Sequence, residues 1–247
     1  SYQYHTGIAC RQFLAGSVTS GALSQRVLDA YDALYPNAFK ADLWRMCYIY
    51  LHGGVYVDIK LCCVCKLDSF MDAANDDFVF VIDRMDKPRA IVYNAFFAAA
   101  PKHPIVKLII EQTVRNIEKH DYGQGCLDIT GPVAVGKAIH DFFGLPHFGH
   151  VIQPGVYQAH QLTATSTSSN STIDSRVIAS AGQIRVLKHV SGERIVNEAD
   201  EVVIRTRSPY PPTGVERNLF ERITGKAHYG ILYDRRQVFV AKDNSKI

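Results

Sequence analysis

The sequence lacks several features that would assign a protein to a class at once. No apolar run approaches the roughly 18–20 residues that cross a bilayer, so no membrane-spanning helix is expected. No signal peptide opens the sequence, and no internal repeat is evident. The formal net charge of +3 is too small to imply a nucleic acid partner. With 247 residues, 47% hydrophobic and 21% charged, the composition is typical of a globular protein with a full core.

The six cysteines include a cluster, Cys62-Cys63-Val64-Cys65, that resembles one half of a zinc knuckle. No second Cys or His pair follows it at the spacing of a structural zinc site. Reduced, half-buried thiols on a strand are therefore the favoured interpretation, and they point to a reducing compartment.

A helix, a turn and a strand are predicted over residues 38–60. Apolar residues at helical spacing predict an amphipathic helix over Lys40–His52. Gly53 and Gly54 stop this helix, because glycine adopts the left-handed backbone that ends helices. The run 55–59 is β-branched and aromatic, and Asp58 lies in it. A carboxylate at the end of such a strand is expected to face a ligand cleft.

Asp42 and Arg45 lie three residues apart on the predicted helix and therefore share a face. A pair of this kind, taken alone, is most often a solvated surface ion pair. Here it precedes Gly-Gly-Val-Tyr-Val-Asp by a short interval, and this combination is much rarer than either part. It favours a binding site.

This segment resembles the glycosyltransferases that carry a sugar-binding DXD motif. They include fungal Golgi α-mannosyltransferases, bacterial capsular polysaccharide transferases and, more distantly, the glucosylating domains of large clostridial toxins. Their pattern is a helix with Asp-x-x-Arg, followed by Gly-Gly-Val-Tyr-x-Asp-x-Asp. Lys60 replaces the final aspartate, and the matching residues are Asp42, Arg45, Gly53, Gly54, Val55, Tyr56 and Asp58.

The resemblance implies an α/β fold, with a GT-A-like single Rossmann-type mixed sheet flanked by helices and β-hairpin additions toward the C-terminus. It also implies that residues 1–247 form a single catalytic domain that lacks the family's first N-terminal strand. The sequence pattern predicts a strand over 78–82 and hairpins within 176–190 and 193–207. Helices are predicted over 9–15, 24–34, 67–73, 104–120 and 133–143, and a last short strand over 238–240.

In the resembling family, sugar is transferred from a nucleoside-diphosphate sugar to a hydroxyl of a glycan acceptor. The resemblance implies that Asp42 and Arg45 hydrogen-bond hydroxyls of the donor sugar. Tyr56 would support the sugar or ribose, and Asp58 would contact the ribose and a metal ion. His228 would lie near the metal or the phosphate. Together with Lys60, the residues Asp42, Arg45 and Asp58 form the expected catalytic set.

Further residues are candidates with structural alternatives. Asn94 is a candidate ligand of a sugar hydroxyl, but asparagine is also common in turns. Asp128, Thr130 and Gly131 resemble the acceptor side of the family's sites. A structural role suits Asp128 equally well, and Thr130 is a candidate cap of the helix that follows.

Two histidines flank the predicted helix 104–120. His103 and His120 are expected to be surface or capping residues rather than ligands.

Lys60 changes the expected metal chemistry. In the family, two aspartates hold Mn²⁺ or Mg²⁺ against the diphosphate, because hard cations prefer carboxylate and phosphate oxygens. A lysine ammonium does not bind a cation. The metal is then held more weakly, by Asp58, His228 and phosphate oxygens, or Lys60 itself neutralises the diphosphate. The first interpretation, a weakened Mn²⁺ or Mg²⁺ site, is the expectation adopted here.

The resemblance thus implies a hexosyltransferase that is retaining and metal-assisted, with a nucleoside-diphosphate sugar and a glycan acceptor as partners. A cytoplasmic location is expected, with no nucleic acid partner and no membrane span in this sequence. One alternative is a non-catalytic module that binds nucleotide sugars or glycans. A phosphohydrolase with Asp58 as nucleophile is disfavoured, because Lys60 occupies the place of its second aspartate.

Overall fold

A computed structural model describes residues 5–83, 90–159, 180–190, 194–206 and 227–240. The chain divides into two compact units. The first unit comprises Ser1–Arg45, Thr113–Gly131 and Tyr210–Ile247, and the second comprises Met46–Gln112 and Pro132–Pro209.

Among the described residues, five helices overlap segments that the sequence predicts to be helical, and a short sixth helix was not predicted. They are α1 (Gly7–Thr19), α2 (Gln25–Ala33), α3 (Asn37–His52), α4 (Pro104–Glu118), α5 (Pro132–Phe142) and α6 (Tyr229–Asp234). α1 begins after Thr6, whose hydroxyl accepts a hydrogen bond from the N–H of Ala9. Ser24 caps α2 in the same way through the N–H of Arg26. These caps satisfy backbone donors that have no partner inside the helix.

The first unit is held together by contacts between distant helices and loops. Arg26 on α2 makes two hydrogen bonds to the carboxylate of Glu118 at the end of α4, at 2.7 and 2.6 Å. Leu34 forms an isolated β-bridge with Phe239. The predicted strand over 238–240 is therefore reduced to a single bridge, because it has only one paired position among the described residues.

All the strands of the described ranges lie in the second unit and form one mixed sheet of eight strands in the order β1-β4-β3-β6-β7-β8-β2, with β5 paired to β6. The β3–β6 pairing is parallel, and the other pairings are antiparallel. The strands are β1 (Gly54–Val57), β2 (Leu61–Cys63), β3 (Asp76–Ile82), β4 (Phe96–Ala99), β5 (Gly155–Gln158), β6 (Gln183–Val190), β7 (Arg194–Val196) and β8 (Val202–Thr206).

The second unit buries a core along its central strands. Phe96, Val79 and Leu187, from three neighbouring strands, are fully buried within this core. On one side, α5 lies so close to the backbone at Ala90 that a Cβ at Gly136 would be 2.6 Å from the carbonyl carbon of Ala90. Only glycine permits this close approach.

α3 ends as the sequence predicts. Gly53 has φ +67°, and its N–H donates to the carbonyl of Ile49 at 2.7 Å. A Cβ at this position would lie 2.7 Å from Cδ of Pro101. Backbone conformation and packing thus both require glycine where α3 ends and β1 begins.

The structure confirms a mixed α/β architecture with a large mixed sheet. A hairpin joins β7 to β8 within 193–207, as predicted. Residues 183–190 instead form the single strand β6, which pairs antiparallel with β7. The predicted helix over 67–73 is wrong in extent, because only Leu67–Ser69 form a single 3₁₀ turn. The GT-A topology and the single-domain organisation stay predictions.

Two further expectations about single residues are resolved. His103 is a capping residue, since its Nδ1 accepts from the N–H of Ile105 at the start of α4. It is not a surface residue, because its side chain is buried. Cys62 and Cys63 in β2, and Cys65 beyond it, are half-buried thiols as predicted.

None of the helices in the described ranges is long and apolar enough to span a membrane.

Candidate functional site

In the first unit, Asp42 and Arg45 form an ion pair that is shielded from water. Both lie on α3, and Nη2 of Arg45 is 3.0 Å from Oδ1 of Asp42. Their side chains are only 13% and 10% exposed, respectively. The interpretation of Asp42 and Arg45 as a solvated surface ion pair is therefore excluded. A pair with so little solvent must recover the cost of desolvation through precise geometry and further hydrogen bonds.

Thr130 supplies one of these further bonds. Its hydroxyl donates to Oδ2 of Asp42 at 2.9 Å, and Thr130 is itself buried. The two carboxylate oxygens of Asp42 thus face Arg45 and Thr130, respectively. Nε of Arg45 also donates to the carbonyl of Ala41 at 3.3 Å. Carboxylate and guanidinium are thereby fixed in orientation, as recognition of sugar hydroxyls requires.

The segment that carries Thr130 is anchored from α4. Nδ2 of Asn116 donates to the backbone carbonyls of Asp128 and Ile129, at 3.2 and 3.0 Å. The expected capping role of Thr130 is not found: α5 begins at Pro132, next to Gly131, and the Thr130 hydroxyl donates to Asp42 instead.

Asp128 is buried rather than open to solvent. Gly123 packs directly on it, and a Cβ at Gly123 would lie 2.4 Å from Cβ of Asp128. This packing favours the structural alternative for Asp128. Its acceptor-side role, like that of Gly131, stays a prediction.

In the second unit, Asp58 and Lys60 are brought side by side by a tight turn. The N–H of Asp58 donates to the carbonyl of Ala95 at 2.8 Å, which extends the β1–β4 pairing by one residue. The N–H of Leu61 then donates back to the carbonyl of Asp58 at 2.8 Å. This bond closes a four-residue turn, in which Ile59 is 89% exposed.

Tyr56 orients the Asp58 carboxylate. Its hydroxyl donates to Oδ1 of Asp58 at 2.6 Å, which is typical of a bond to a charged acceptor. Tyr56 lies opposite Phe97 in the β1–β4 register, and their rings stack with centroids 5.3 Å apart. The sheet register thus fixes the phenol that holds Asp58.

Lys60 lies between a carboxylate and an aromatic ring. Its Nζ is 3.9 Å from Oδ2 of Asp58 and 5.8 Å from the centroid of the Tyr93 ring. Tyr93 in turn stacks on His189 with centroids 4.4 Å apart. Nδ1 of His189 is 2.7 Å from Oδ1 of Asp83. Tyr93 is therefore supported from the side of β3 and β6.

Tyr93, His189 and Asp83 were not among the residues that the sequence predicted. Tyr93 immediately precedes Asn94, and its position in an otherwise apolar run was the one available signal. His189 and Asp83 are 106 residues apart, so no local pattern connects them.

Asn94 lies in the turn before β4 and is half-buried. With Tyr93 and Phe97 it lines a small apolar cavity. The turn assignment is confirmed, and its role as a sugar ligand stays a prediction.

His228 caps α6. Its Nδ1 accepts from the N–H of Gly230 at 3.1 Å, and its ring contacts that of Tyr229 with centroids 4.1 Å apart. Nδ1 is thus engaged with the backbone. A metal-binding role of His228 stays a prediction.

The side chains around Asp58 do not fit a divalent cation well. A metal ion would need the oxygen that faces the ammonium of Lys60, and the other oxygen accepts from Tyr56. Among the described residues, no group of three or more His, Cys, Asp or Glu side chains is arranged to hold a metal. The expected Mn²⁺ or Mg²⁺ site therefore stays a prediction that this geometry does not favour.

The comparison with protein families agrees with the resemblance read from the sequence. Residues 10–77 match the family model described as "Glycosyltransferase sugar-binding region containing DXD motif". No curated protein gave a significant match. Among solved structures, one titled "PaToxG Glycosyltransferase" is similar at 16% sequence identity and a TM-score of 0.36, over 53% of this chain and 40% of that chain. The alignment therefore spans less than half of that protein.

The matched region contains Asp42, Arg45, Tyr56, Asp58 and Lys60. The family resemblance is confirmed at this level, and it supports a general glycosyltransferase role. Residues 10–77 are thus similar to a glycosyltransferase sugar-binding region of the DXD type, with Lys60 at the position of the second aspartate.

Proposed function

We propose that this chain transfers a hexose from a nucleoside-diphosphate sugar to a hydroxyl of a glycan acceptor, with retention of anomeric configuration. The observation that carries the proposal is the shielded Asp42–Arg45 pair with its bond to Thr130. The pair lies within the region that matches the DXD-type sugar-binding family. Stereochemistry and sugar class follow from the resemblance alone.

In this proposal, Asp42 and Arg45 bind hydroxyl groups of the donor sugar. A carboxylate accepts from a hydroxyl, and a guanidinium donates to its oxygen, so the pair offers both kinds of bond. Because both groups are fixed before the substrate arrives, little orientational entropy is lost when it binds.

Asp58 has the role of holding the ribose of the nucleotide, with Tyr56 fixing its carboxylate. Asn94 is the proposed additional sugar ligand. Asp128 and Gly131 retain their proposed place on the acceptor side. Thr130, which was also expected there, orients Asp42 through its hydrogen bond and so acts on the donor side in this proposal. No step of this proposal depends on a metal ion.

The test is release of free sugar and nucleotide from UDP-glucose, UDP-galactose and GDP-mannose, with Arg45→Lys as the variant. The substitution keeps the charge but loses the planar fork that pairs with Asp42. We expect kcat/KM to fall about 100-fold, as when a transition-state contact is removed. The matched control is Arg26→Lys, which alters an exposed pair with Glu118 and is expected to leave kcat/KM unchanged.

The second candidate is a non-catalytic module that binds nucleotide sugars, and Lys60 at the second motif position is the observation that favours it. Binding of a nucleotide sugar without turnover, under every metal tested, would establish this module and overturn the transferase.

A further inference from the structure

We propose that the ammonium group of Lys60 takes the place of the divalent cation, so that this chain binds the diphosphate of its nucleotide without a metal ion. The inference rests on the proposed function. It concerns the turn Asp58–Leu61 and the aromatic residues beside it.

The turn Asp58–Leu61 determines where the positive charge of Lys60 lies. Because the N–H of Leu61 bonds to the carbonyl of Asp58, Lys60 stands next to the carboxylate at the end of β1. Nζ of Lys60 is 3.9 Å from Oδ2 of Asp58. This separation gives an ion pair, yet it is too long for a direct hydrogen bond. The three donors of the ammonium are therefore not consumed by Asp58.

The surroundings hold the ammonium at this place. Tyr56 fixes the carboxylate from the other side, through its bond to Oδ1. The Tyr93 ring, 5.8 Å from Nζ, offers an aromatic face that attracts a cation. Tyr93 is stacked on His189, which is itself bonded to Asp83. The side chain of Lys60 remains 39% exposed, so a ligand reaches it.

The charges balance without a metal. In a motif of two aspartates, two negative charges and one divalent cation sum to zero. Here, one negative charge on Asp58 and one positive charge on Lys60 also sum to zero. A diphosphate therefore meets the same net charge in both arrangements. A metal ion added beside Asp58 would instead lie close to the ammonium, and like charges repel.

Lys60 forms no covalent bond in this proposal. It stabilises the negative charge of the diphosphate by electrostatics and hydrogen bonding, as lysines do in other phosphate sites.

The experiment is calorimetric titration with UDP and GDP, in EDTA and in Mn²⁺, of the wild type and Lys60→Gln. We expect the wild type to bind one nucleotide in EDTA, with a Kd that Mn²⁺ changes less than about twofold. Lys60→Gln is expected to weaken binding in EDTA roughly tenfold or more, as for loss of a charged hydrogen bond. The matched control is Lys107→Gln, at an exposed lysine on α4, and it is expected to bind like the wild type.

A second variant, Lys60→Asp, restores the two-aspartate pattern and is expected to bind nucleotide only with Mn²⁺. Circular dichroism and the midpoint of thermal unfolding verify that each variant is folded. If the folded wild type binds only with Mn²⁺, or if Lys60→Gln binds in EDTA as the wild type does, the inference is overturned and the proposed function stands. If the wild type binds neither UDP nor GDP in any condition, the proposed function itself is overturned.

Discussion

Thr130 and Asp42 are 88 residues apart in the sequence, and a hydrogen bond of 2.9 Å joins their side chains. This bond links the loop before α5 to the helix that carries the Asp-x-x-Arg pattern. It is one of the interactions that make a nearly buried carboxylate tolerable. The two sequence motifs are thus parts of one polar cluster in the first unit.

Thr130→Val is expected to destabilise the protein by about 1.5–3 kcal/mol, because valine keeps the volume of threonine but lacks the hydroxyl that donates to the charged carboxylate of Asp42. Urea unfolding monitored by circular dichroism measures the change. Thr130→Ser keeps the hydroxyl and is the control. Equal stability of the valine and serine variants would show that the bond to Asp42 contributes nothing.

Tyr56→Phe removes the hydroxyl that donates to Asp58 and keeps the ring stacked on Phe97. We expect the free energy of unfolding to change little, since Asp58 is partly solvated and water replaces the phenol. The Kd for the bound nucleotide is expected to rise about three- to tenfold, because the carboxylate loses its fixed orientation. Calorimetry measures the Kd. A Kd equal to that of the wild type would contradict the orienting role of Tyr56.

Gly136→Ala and Gly16→Ala are a matched pair of substitutions inside helices. A Cβ at Gly136 would press on the backbone of Ala90, whereas a Cβ at Gly16 in α1 meets nothing within 4 Å. We therefore expect Gly136→Ala to destabilise by about 1–3 kcal/mol through overpacking. Gly16→Ala is expected to stabilise by roughly 0.5–1 kcal/mol through helix propensity. Thermal and urea unfolding measure the change in the free energy of unfolding for each variant. Changes of the same sign in both variants would contradict this prediction.

His103 is expected to make stability depend on pH. Burial lowers its pKa, although the bond to the Ala181 carbonyl acts in the opposite direction. Protonation would also remove the Nδ1 acceptor used by Ile105. Below about pH 6.5, the ordinary pKa of histidine, His103 is protonated in the unfolded chain but resists protonation in the folded protein. The contribution of His103 to the free energy of unfolding is therefore complete above about pH 6.5. Below this pH it falls with decreasing pH, by up to about 1.4 kcal/mol per pH unit.

The measurement is the free energy of unfolding between pH 7.5 and pH 5. His140 contributes in the same direction, since burial lowers its pKa as well. His103→Asn is expected to show a shallower decline than the wild type. The control is His120→Asn at an exposed position, where asparagine tolerates the positive φ of 51°. A decline as steep in His103→Asn as in the wild type would refute the role of His103.

The sequence predicted the local structure of the motif well. Helical spacing placed Asp42 and Arg45 on one face of α3, and Gly53 marked its end. The β-branched run located β1, although β1 ends at Val57, so that Asp58 lies just beyond the strand rather than within it. These features depend on neighbours within about four residues, which a single sequence contains.

Contacts between distant segments were not predicted. The shielding of Asp42 depends on Thr130, and the support of Tyr93 depends on His189 and Asp83. Burial of His103 depends on Ala181, which is 78 residues away. Such contacts follow from tertiary packing, and neither periodicity nor turn chemistry encodes them. This is why the sequence left a surface location open for His103 and favoured a capping role for Thr130.

The parallel pairing of β3 with β6 has a consequence for how the chain is made. Gln183 bonds to Asp76 across a separation of 107 residues, so the centre of the sheet is complete only after that many more residues have been synthesised. At ribosomal rates of about 5–20 residues per second, β3 waits roughly 5–20 seconds for β6. During this interval the apolar strand 76–82 has an unpaired edge, which favours aggregation and chaperone binding. α1 and α2 can pair with each other without such a delay, because the bond of Arg11 to Asp32 spans only 21 residues.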